Sequence, residues 1–168
     1  MKTKQELRLE AKNIRKNLDM QEISKNLVLK IRDLKEYQES QNVLIFYPMS
    51  CEVNLLDLLK DNKNFYLPKV KGNDLVICPF TNELEKSELN IYEPCSNPVN
   101  PQILDLIFLP ALMADKNNNR LGYGKGYYDR FLAKYPNIKT ILPIAKELVV
   151  DKLPVDNFDI RTWKLLFL

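Results

Sequence analysis

The chain has 168 residues, 45% of them hydrophobic and 28% charged, so it is long and apolar enough to bury the core of a single globular domain. It contains no histidine, which excludes the Ser-His-Asp and Cys-His catalytic systems and the common zinc sites, so any chemistry would depend on carboxylates, lysines, tyrosines or bound phosphate. The net charge is only +3, but residues 1–35 contain ten Lys or Arg against five Asp or Glu, which makes the N-terminal part basic.

Two amphipathic helices are predicted in this basic N-terminal part. Thr3 and Glu6 have the spacing of a capping box. The apolar residues that follow them recur at helical intervals, at Leu7, Ala11, Ile14 and Leu18. Asp19 and Glu22 could begin a second helix, whose apolar positions would be Leu27, Ile31 and Leu34.

The rest of the chain alternates between strand-like and helical patterns. Short apolar runs closed by turn residues predict buried strands at 43–47, 64–68, 75–80, 106–110 and 140–145. Helical patterns occur at 55–60 and 126–134, a last strand could form at 163–168, and the proline-rich segment 92–102 is predicted to be a loop. The pattern predicts a three-layer α/β fold with an open, mainly parallel sheet and helices on both faces, in one domain spanning residues 1–168.

The N-terminus and the cysteines bear on the cellular compartment. Lys2, Lys4 and Arg8 interrupt any apolar centre of a signal peptide, and no run reaches the roughly 18 apolar residues of a membrane helix. Three cysteines without a CxxC pair argue against a disulfide framework and a zinc knuckle. We therefore expect a cytoplasmic protein in which the cysteines are small buried hydrophobes, namely Cys51, Cys78 and Cys95.

A basic stripe lies at the edge of the apolar face of the first predicted helix. It consists of Lys4, Arg8 and Arg15, whose charged ends could reach a cleft between this helix and the body of the protein. Lys4 and Arg8 are one turn apart, which suits a grip on a polyphosphate. The alternative is an ordinary solvated helix face. Nucleic-acid binding has less support, because the sequence shows no recognisable module and no interleaving of basic and aromatic residues.

Three of the four glycines lie within five positions of the segment RLGYGKGYYDRF, residues 120–131, here called the glycine segment. The pattern matches neither the Rossmann nor the P-loop motif. Glycines nevertheless let peptide N–H groups approach an anion, and a helix beginning near Gly126 would add its positive end. Arg120 and Lys125 would add full charges. The alternative is a flexible turn after the asparagines at 117–119, although a turn does not require the cluster that follows, Tyr127, Tyr128 and Asp129.

These residues resemble the 5-formyltetrahydrofolate cyclo-ligase family, also called 5,10-methenyltetrahydrofolate synthetases. The signature is RLGYGKGYYDRF preceded by LIFLPALMADKNNN, and weaker matches follow in order along nearly the whole chain: KQELR, FYPMSCEVN, YLPKV, YEP and PVDNFD. The resemblance implies an open α/β fold of the NagB/RpiA/CoA transferase type. It also implies an enzyme that couples ATP hydrolysis to ring closure in a reduced folate.

The resemblance further assigns roles to individual residues. It implies that Mg²⁺ is held by Asp129 and Asp159, and that Lys125 and Arg120 are the catalytic residues. It implies that the residues around ATP are Lys4, Arg8, Arg120, Leu121, Gly122, Tyr123, Gly124, Lys125, Gly126, Tyr127 and Tyr128. It implies that the residues around the folate are Tyr47, Glu52, Tyr123, Gly124, Lys125, Gly126 and Tyr127, with Glu52 accepting hydrogen bonds from the pterin ring.

Under this interpretation the partners are reduced folate and ATP, without nucleic acid or membrane, and the protein is a monomer or weak dimer. Two other functions stay open: another ATP-dependent small-molecule kinase or ligase, and a non-catalytic nucleotide- or RNA-binding protein. Taken alone, Glu52 could also be a cap or surface acid beside Asn54, and Asp129 could simply complement the dipole of the helix in which it lies.

Overall fold

The computed structural model describes residues 1–168. Its α-helices are α1 (Lys4–Lys16), α2 (Met20–Arg32), α3 (Lys35–Glu39) and α4 (Tyr127–Lys134), and short 3-10 helices occupy Leu56–Lys60, Pro101–Ile103 and Lys146–Leu148. The strands are β1 (Asn42–Leu44), β2 (Asn64–Lys71), β3 (Asp74–Pro79), β4 (Leu84–Lys86), β5 (Tyr92–Pro94), β6 (Leu106–Phe108), β7 (Met113–Asp115), β8 (Arg120–Leu121), β9 (Lys139–Pro143), β10 (Val149–Val150) and β11 (Lys164–Leu166). None of the helices combines the length and hydrophobicity needed to span a bilayer.

A six-stranded sheet in the order β11-β9-β6-β1-β2-β3 forms the centre of the protein. Its neighbouring strands are parallel except for the β2–β3 hairpin. The chain passes from β1 to β2 on one side and later returns to β6 on the other side of β1, so the strand order reverses between β1 and β6. In open α/β sheets, ligands bind beyond the carboxyl ends of the strands at such a point. The topology therefore places a site after β1 and β6.

Helices cover both faces of this sheet because successive strand residues point to opposite sides. Val43 of β1 and Ile45 just beyond it pack in one core cluster with Leu27 of α2. Leu44, between them, packs in a second cluster with Leu7 of α1 and with α4. The predicted α/β fold, with a mainly parallel sheet between two helical layers, is confirmed.

The two N-terminal helices begin where their caps predict. The Thr3 side chain accepts a hydrogen bond from the Glu6 N–H, and Glu6 in turn accepts one from the Thr3 N–H at 2.7 Å, which completes the capping box. Asp19 caps α2 by accepting from the Glu22 N–H at 3.1 Å. The second helix ends at Arg32, two residues before the predicted apolar position Leu34, which instead caps the unpredicted α3.

Several local expectations are corrected. The segment 92–102 is not only a loop, because Tyr92–Pro94 forms β5 and pairs with β4, a strand whose polar sequence LEK gives no period-2 signal. The helical pattern at 55–60 is a 3-10 helix. Of the cysteines, only Cys78 is buried; Cys51 and Cys95 are exposed because they lie in loops, and all three are free thiols.

An asparagine turn between β7 and β8 sets up the start of the glycine segment. Asp115, which is fully buried, accepts hydrogen bonds from the backbone N–H groups of Asn117, Asn119 and Leu153 and from the Asn119 amide at 2.9–3.0 Å. Burial favours the neutral carboxyl, but these donors outweigh it and hold the pKa of Asp115 below its ordinary 3.8. Asn118 adopts the left-handed conformation at φ +66° that an asparagine tolerates.

Replacing Asp115 with asparagine is expected to lower the free energy of unfolding by about 2 kcal/mol, because an NH₂ group would face buried N–H donors. Because the pKa of Asp115 is depressed in the folded state, the wild-type carboxylate contributes stability above pH 3.8 and loses it as the pH falls further. The variant should lack this acid-dependent loss. Denaturant titrations at pH 7 and pH 3 would measure both effects. Asp151→Asn, which changes an exposed carboxylate, is the control, and equal stability of the two variants would contradict the prediction.

Candidate functional site

A cavity of about 550 Å³ opens at the carboxyl ends of β1 and β6, where the strand order reverses. The loop after β1 contributes Tyr47 and Glu52, and the segment after β6 contributes Pro110. The glycine segment forms one wall, and α1 contributes two basic side chains. The size is within the range of sites for small molecules and cofactors.

The structure brings all of the residues assigned from the sequence to this one cavity. They come from four separate parts of the chain: Lys4, Arg8, Tyr47, Glu52, Arg120, Leu121, Gly122, Tyr123, Gly124, Lys125, Gly126, Tyr127, Tyr128, Asp129 and Asp159. Leu121 also packs in the hydrophobic core and is 2% exposed, so its side chain has little surface to offer a ligand.

Four cations line the cavity, and three of them already have partners. The Lys4 ammonium lies 2.6 Å from a carboxylate oxygen of Asp156 and 2.6 Å from one of Asp159. Arg8 donates from Nε to the Gly122 carbonyl at 2.9 Å, and Arg120 donates to Asp129 at 3.0 Å. The exposed Lys125 forms no hydrogen bond or ion pair, and is therefore the cavity cation free to follow an incoming anion.

Two glycines of the segment are required by their positive φ, and a side chain at either would also displace a neighbouring arginine. Gly124 has φ +99°, and a Cβ there would lie 3.3 Å from the Arg8 guanidinium. Gly126 has φ +71° and a Cβ would lie 2.6 Å from an Arg130 nitrogen. Because Gly126 is the N-cap of α4 and provides no side-chain cap, the first turn of α4 keeps N–H donors for an anion.

Part of the cavity lining is apolar and aromatic. Tyr47 and Tyr92 pack with their ring centroids 4.9 Å apart, and Val70, Leu75 and Ile91 extend this surface. Glu52 also lines the cavity, is 7% exposed, and accepts a hydrogen bond from the Met49 N–H at 2.9 Å. The alternatives of a surface acid and of a cap for the helix beside Asn54 are both excluded, because Glu52 is buried and its backbone partner is Met49, not the first turn of the 3-10 helix Leu56–Lys60.

Burial raises the pKa of two groups that line the cavity, Glu52 and Tyr123. It raises the pKa of the Glu52 carboxyl, although the Met49 N–H, the Arg15 charge and the Tyr123 hydroxyl oppose the rise. Burial and the charge of Glu52 raise the pKa of Tyr123 to about 12. Tyr123 is therefore a neutral phenol at physiological pH, able both to donate and to accept a hydrogen bond.

The two carboxylates assigned to magnesium are each partly engaged. One oxygen of Asp129 accepts from Arg120 and from the Ile160 N–H at 3.1 Å, and one oxygen of Asp159 accepts from Lys4 and from the Asp156 N–H at 2.8 Å. The second oxygen of each has no hydrogen bond to the protein. No cluster of three acidic or cysteine side chains could hold a metal alone. Since Mg²⁺ commonly binds one or two carboxylates together with substrate phosphates, these residues fit an ion that arrives with a nucleotide.

The sequence did not reveal three further residues of this region. Tyr92 belongs to β5, which was not predicted, and the only sequence signal for this residue is the YEP segment that resembles the family. Asp156 shares Lys4 with Asp159, and only the PVDNFD match contains it. Arg15 was placed on the basic stripe but not in the site, and the structure buries it beside Tyr123. Lys4 and Arg8 of the same stripe line the cavity instead of forming a fully solvated face.

Comparisons with known proteins agree with this architecture. The model of the 5-formyltetrahydrofolate cyclo-ligase family matches residues 1–166. The chain is 32% identical to the 5-formyltetrahydrofolate cyclo-ligase of Mus musculus, over 98% of this chain and 93% of that protein. It is 27% identical to that of Haemophilus influenzae, over 97% and 96% of the two chains.

A solved structure supports the same assignment. The NMR structure of Aquifex aeolicus 5,10-methenyltetrahydrofolate synthetase superposes with a TM-score of 0.85 at 32% identity, covering 98% of this chain and 89% of that one. The match extends over the central sheet and the segments that line the cavity, and the family model includes the glycine segment. The chain is therefore an enzyme that belongs to the 5-formyltetrahydrofolate cyclo-ligase family.

Proposed function

We propose that this enzyme uses ATP and Mg²⁺ to convert 5-formyltetrahydrofolate to 5,10-methenyltetrahydrofolate, with release of ADP and phosphate. The observation that carries the proposal is the single cavity lined both by the basic glycine segment and by aromatic side chains together with Glu52. The first half offers charges and N–H groups to a polyphosphate, and the second offers a flat apolar surface and a carboxylate to a pterin ring.

The reaction would begin when the formyl oxygen of the folate attacks the γ-phosphorus of ATP. The bond from that phosphorus to the bridging oxygen breaks, ADP leaves, and an imino-phosphate forms. The second folate nitrogen then attacks the activated formyl carbon, loses its proton, and expels phosphate as the ring closes. Such phosphoryl transfer depends mainly on alignment and on neutralising the equatorial oxygens, so the absence of histidine is no obstacle.

The residues of the glycine segment would divide this work. Lys125 would follow the transferring phosphoryl group because no other group holds its ammonium. Arg120, with a side chain 5% exposed and fixed by Asp129, would supply a stationary charge. Lys4 and Arg8 would bind the remaining phosphates from α1. Asp129 and Asp159 would hold Mg²⁺, which supplies charge neutralisation between the phosphates when bound.

The folate would occupy the half of the cavity that contains Tyr47 and Glu52. Glu52 would accept hydrogen bonds from the N–H groups of the pterin, and the tyrosines would pack against its faces. We further propose that the protein works in the cytoplasm, as a monomer or weak dimer with small-molecule partners only. Its three free thiols, two of them exposed, suit a reducing compartment.

The test is a direct assay with purified protein. Incubation with 5-formyltetrahydrofolate, ATP and magnesium should produce methenyltetrahydrofolate absorbance, with one ADP formed for each ring closed, and omission of ATP should abolish the signal. ATP hydrolysis that is independent of folate would point to a different ATP-dependent enzyme. Nucleotide binding without turnover would support a non-catalytic role. Either result would overturn the proposal.

The magnesium assignment makes a separate prediction. Asp129→Asn should raise the magnesium concentration for half-maximal activity about tenfold or more, because it removes a ligand and the partner of Arg120 together. Asp159→Asn should have a smaller effect in the same direction. The matched control is Asp156→Asn, which also removes a partner of Lys4 but no proposed ligand. Magnesium titrations at saturating ATP that coincide for all four proteins would contradict the assignment.

A further inference from the structure

Arg15 is a buried cation that lies behind the cavity wall. It is located in the last turn of α1 and is 5% exposed. One terminal nitrogen donates to the Tyr123 hydroxyl at 3.0 Å and the other donates to the Ala111 carbonyl, while Nε has no hydrogen-bond partner. A guanidinium removed from water in this way is costly unless its surroundings supply acceptors or negative charge.

The negative charge that faces Arg15 is Glu52. Glu52 lies beside the Tyr123 hydroxyl that accepts from Arg15, and both groups act against the rise that burial causes in the pKa of this carboxyl. The three side chains therefore form a chain, Arg15–Tyr123–Glu52, that joins α1, the glycine segment and the loop after β1. Arg15 itself does not line the cavity, but both of the groups it acts on do.

We propose that Arg15 is a positioning residue, which fixes the Tyr123 hydroxyl and the Glu52 carboxylate as one unit in the folate half of the cavity. The proposal rests on the proposed function in assigning that half to folate. Tyr123 stands between Gly122 and Gly124, so its backbone has few intrinsic restraints, and a buried tether on its hydroxyl defines where the ring lies.

The same contact affects the charge of Glu52. The groups that face this carboxyl are the Arg15 guanidinium from α1, the Tyr123 hydroxyl from the glycine segment, Tyr128 from α4, and the Met49 N–H from its own loop. Among these, Arg15 carries the full positive charge. Removing it leaves a buried carboxylate without its counter-ion, so Glu52 would take up a proton at a higher pH.

The test replaces Arg15 with methionine, which keeps the apolar stem of the side chain, and with lysine, which keeps the charge. Arg15→Met should raise the folate KM about tenfold or more at neutral pH, the scale of a lost hydrogen bond to a charged group, with the ATP KM changed less than about twofold. The acid limb of kcat/KM for folate should move to higher pH. In Arg15→Lys, the pH at which kcat/KM for folate falls should return most of the way to the wild-type value. The control is Lys16→Met, which changes an exposed residue on the same helix and should match the wild type.

Two results would overturn the proposal. One is an Arg15→Met enzyme in which the folate KM and the ATP KM rise to the same extent while the pH profile of kcat/KM is unchanged. That result would be typical of a residue that only stabilises the fold. The other, needed if Arg15→Met does not fold, is an Arg15→Lys enzyme with the wild-type folate KM, because lysine keeps the charge but loses the guanidinium contact to the Tyr123 hydroxyl.

A double-mutant cycle separates this inference from the folate assignment. Arg15→Lys and Tyr123→Phe should be coupled in their effects on the free energy of unfolding, because each removes the same contact. If the two changes in the free energy of unfolding were additive, the positioning of Tyr123 by Arg15 would be contradicted. If the effects of the two substitutions are coupled but Glu52→Gln binds folate as the wild type does, then Arg15 does position Tyr123. The assignment of Glu52 to the folate would in that case be wrong.

Discussion

Replacing Lys125 with alanine is expected to lower kcat about a hundredfold or more, with smaller changes in the KM of either substrate. This is the scale for removing one preorganised charge or donor from developing negative charge. The effect should fall on kcat because the ammonium would interact with the phosphoryl group most strongly as charge spreads over its equatorial oxygens. Steady-state kinetics with both substrates varied would measure it.

The structure explains why this loss should exceed that from the other cavity cations. Lys4 is held by Asp156 and Asp159, so its charge is already balanced before a ligand arrives. Arg120 is similarly balanced by Asp129. Lys125 has no such partner, so its removal leaves the transferring group without the one cation that can move with it.

Suitable controls separate charge from side-chain bulk. Lys125→Arg should retain part of the rate because it keeps a cation between the two glycines, although the geometry of the guanidinium differs. Lys146→Ala removes an exposed lysine outside the cavity and should leave kcat unchanged. A Lys125→Ala enzyme with a normal kcat would show that this residue takes no part in phosphoryl transfer.

The helix starts, the central strands and the glycine segment could be predicted because their signals are local in the sequence. The caps at Thr3 and Asp19 involve residues three apart, and the structure begins both helices there. The apolar runs predicted the central strands because strands buried on both faces need no alternation of polar residues. The glycines at 122–126 marked the cavity wall because positive φ values at Gly124 and Gly126 disfavour other residues.

What the sequence could not predict depends on long-range pairing. The β4–β5 hairpin, which brings Tyr92 to Tyr47, has short polar strands whose pairing is fixed only in the folded protein. The burial of Arg15 depends on Ala111 and Tyr123, which lie 96 and 108 residues away. An amphipathic pattern places Arg15 at the edge of a helix face but cannot distinguish a solvated arginine from a buried one.

The second large effect is expected at Glu52, which lines the same cavity. Glu52→Gln should raise the folate KM by the equivalent of about 1.5–3 kcal/mol, the value of a hydrogen bond to a charged group, with the ATP KM little changed. Glutamine keeps the shape and can still accept the Met49 N–H through its amide oxygen, so the loop after β1 should be preserved. Under the proposed binding mode, the substitution would replace the second carboxylate acceptor with an NH₂ donor toward the N–H groups of the pterin.

The pH dependence gives this prediction a second, independent measurement. Because burial raises the pKa of Glu52, the wild-type folate kcat/KM should fall on the acid side at a higher pH than an ordinary glutamate would produce. Glutamine cannot titrate, so the folate kcat/KM of Glu52→Gln should be low and should not fall further on the acid side. Glu88→Gln, which changes an exposed glutamate outside the cavity, is the matched control.

Lys125→Ala and Glu52→Gln together test how the cavity is divided between ATP and folate. A carboxylate that contacts the folate ring equally in the ground state and the transition state changes KM and leaves kcat nearly intact, whereas a cation on the transferring phosphoryl group does the reverse. If Glu52→Gln impaired ATP and folate to the same extent, Glu52 would act through the fold of the cavity and not through the pterin. The Arg15–Tyr123–Glu52 chain would then serve mainly to close α1 and the glycine segment against the sheet.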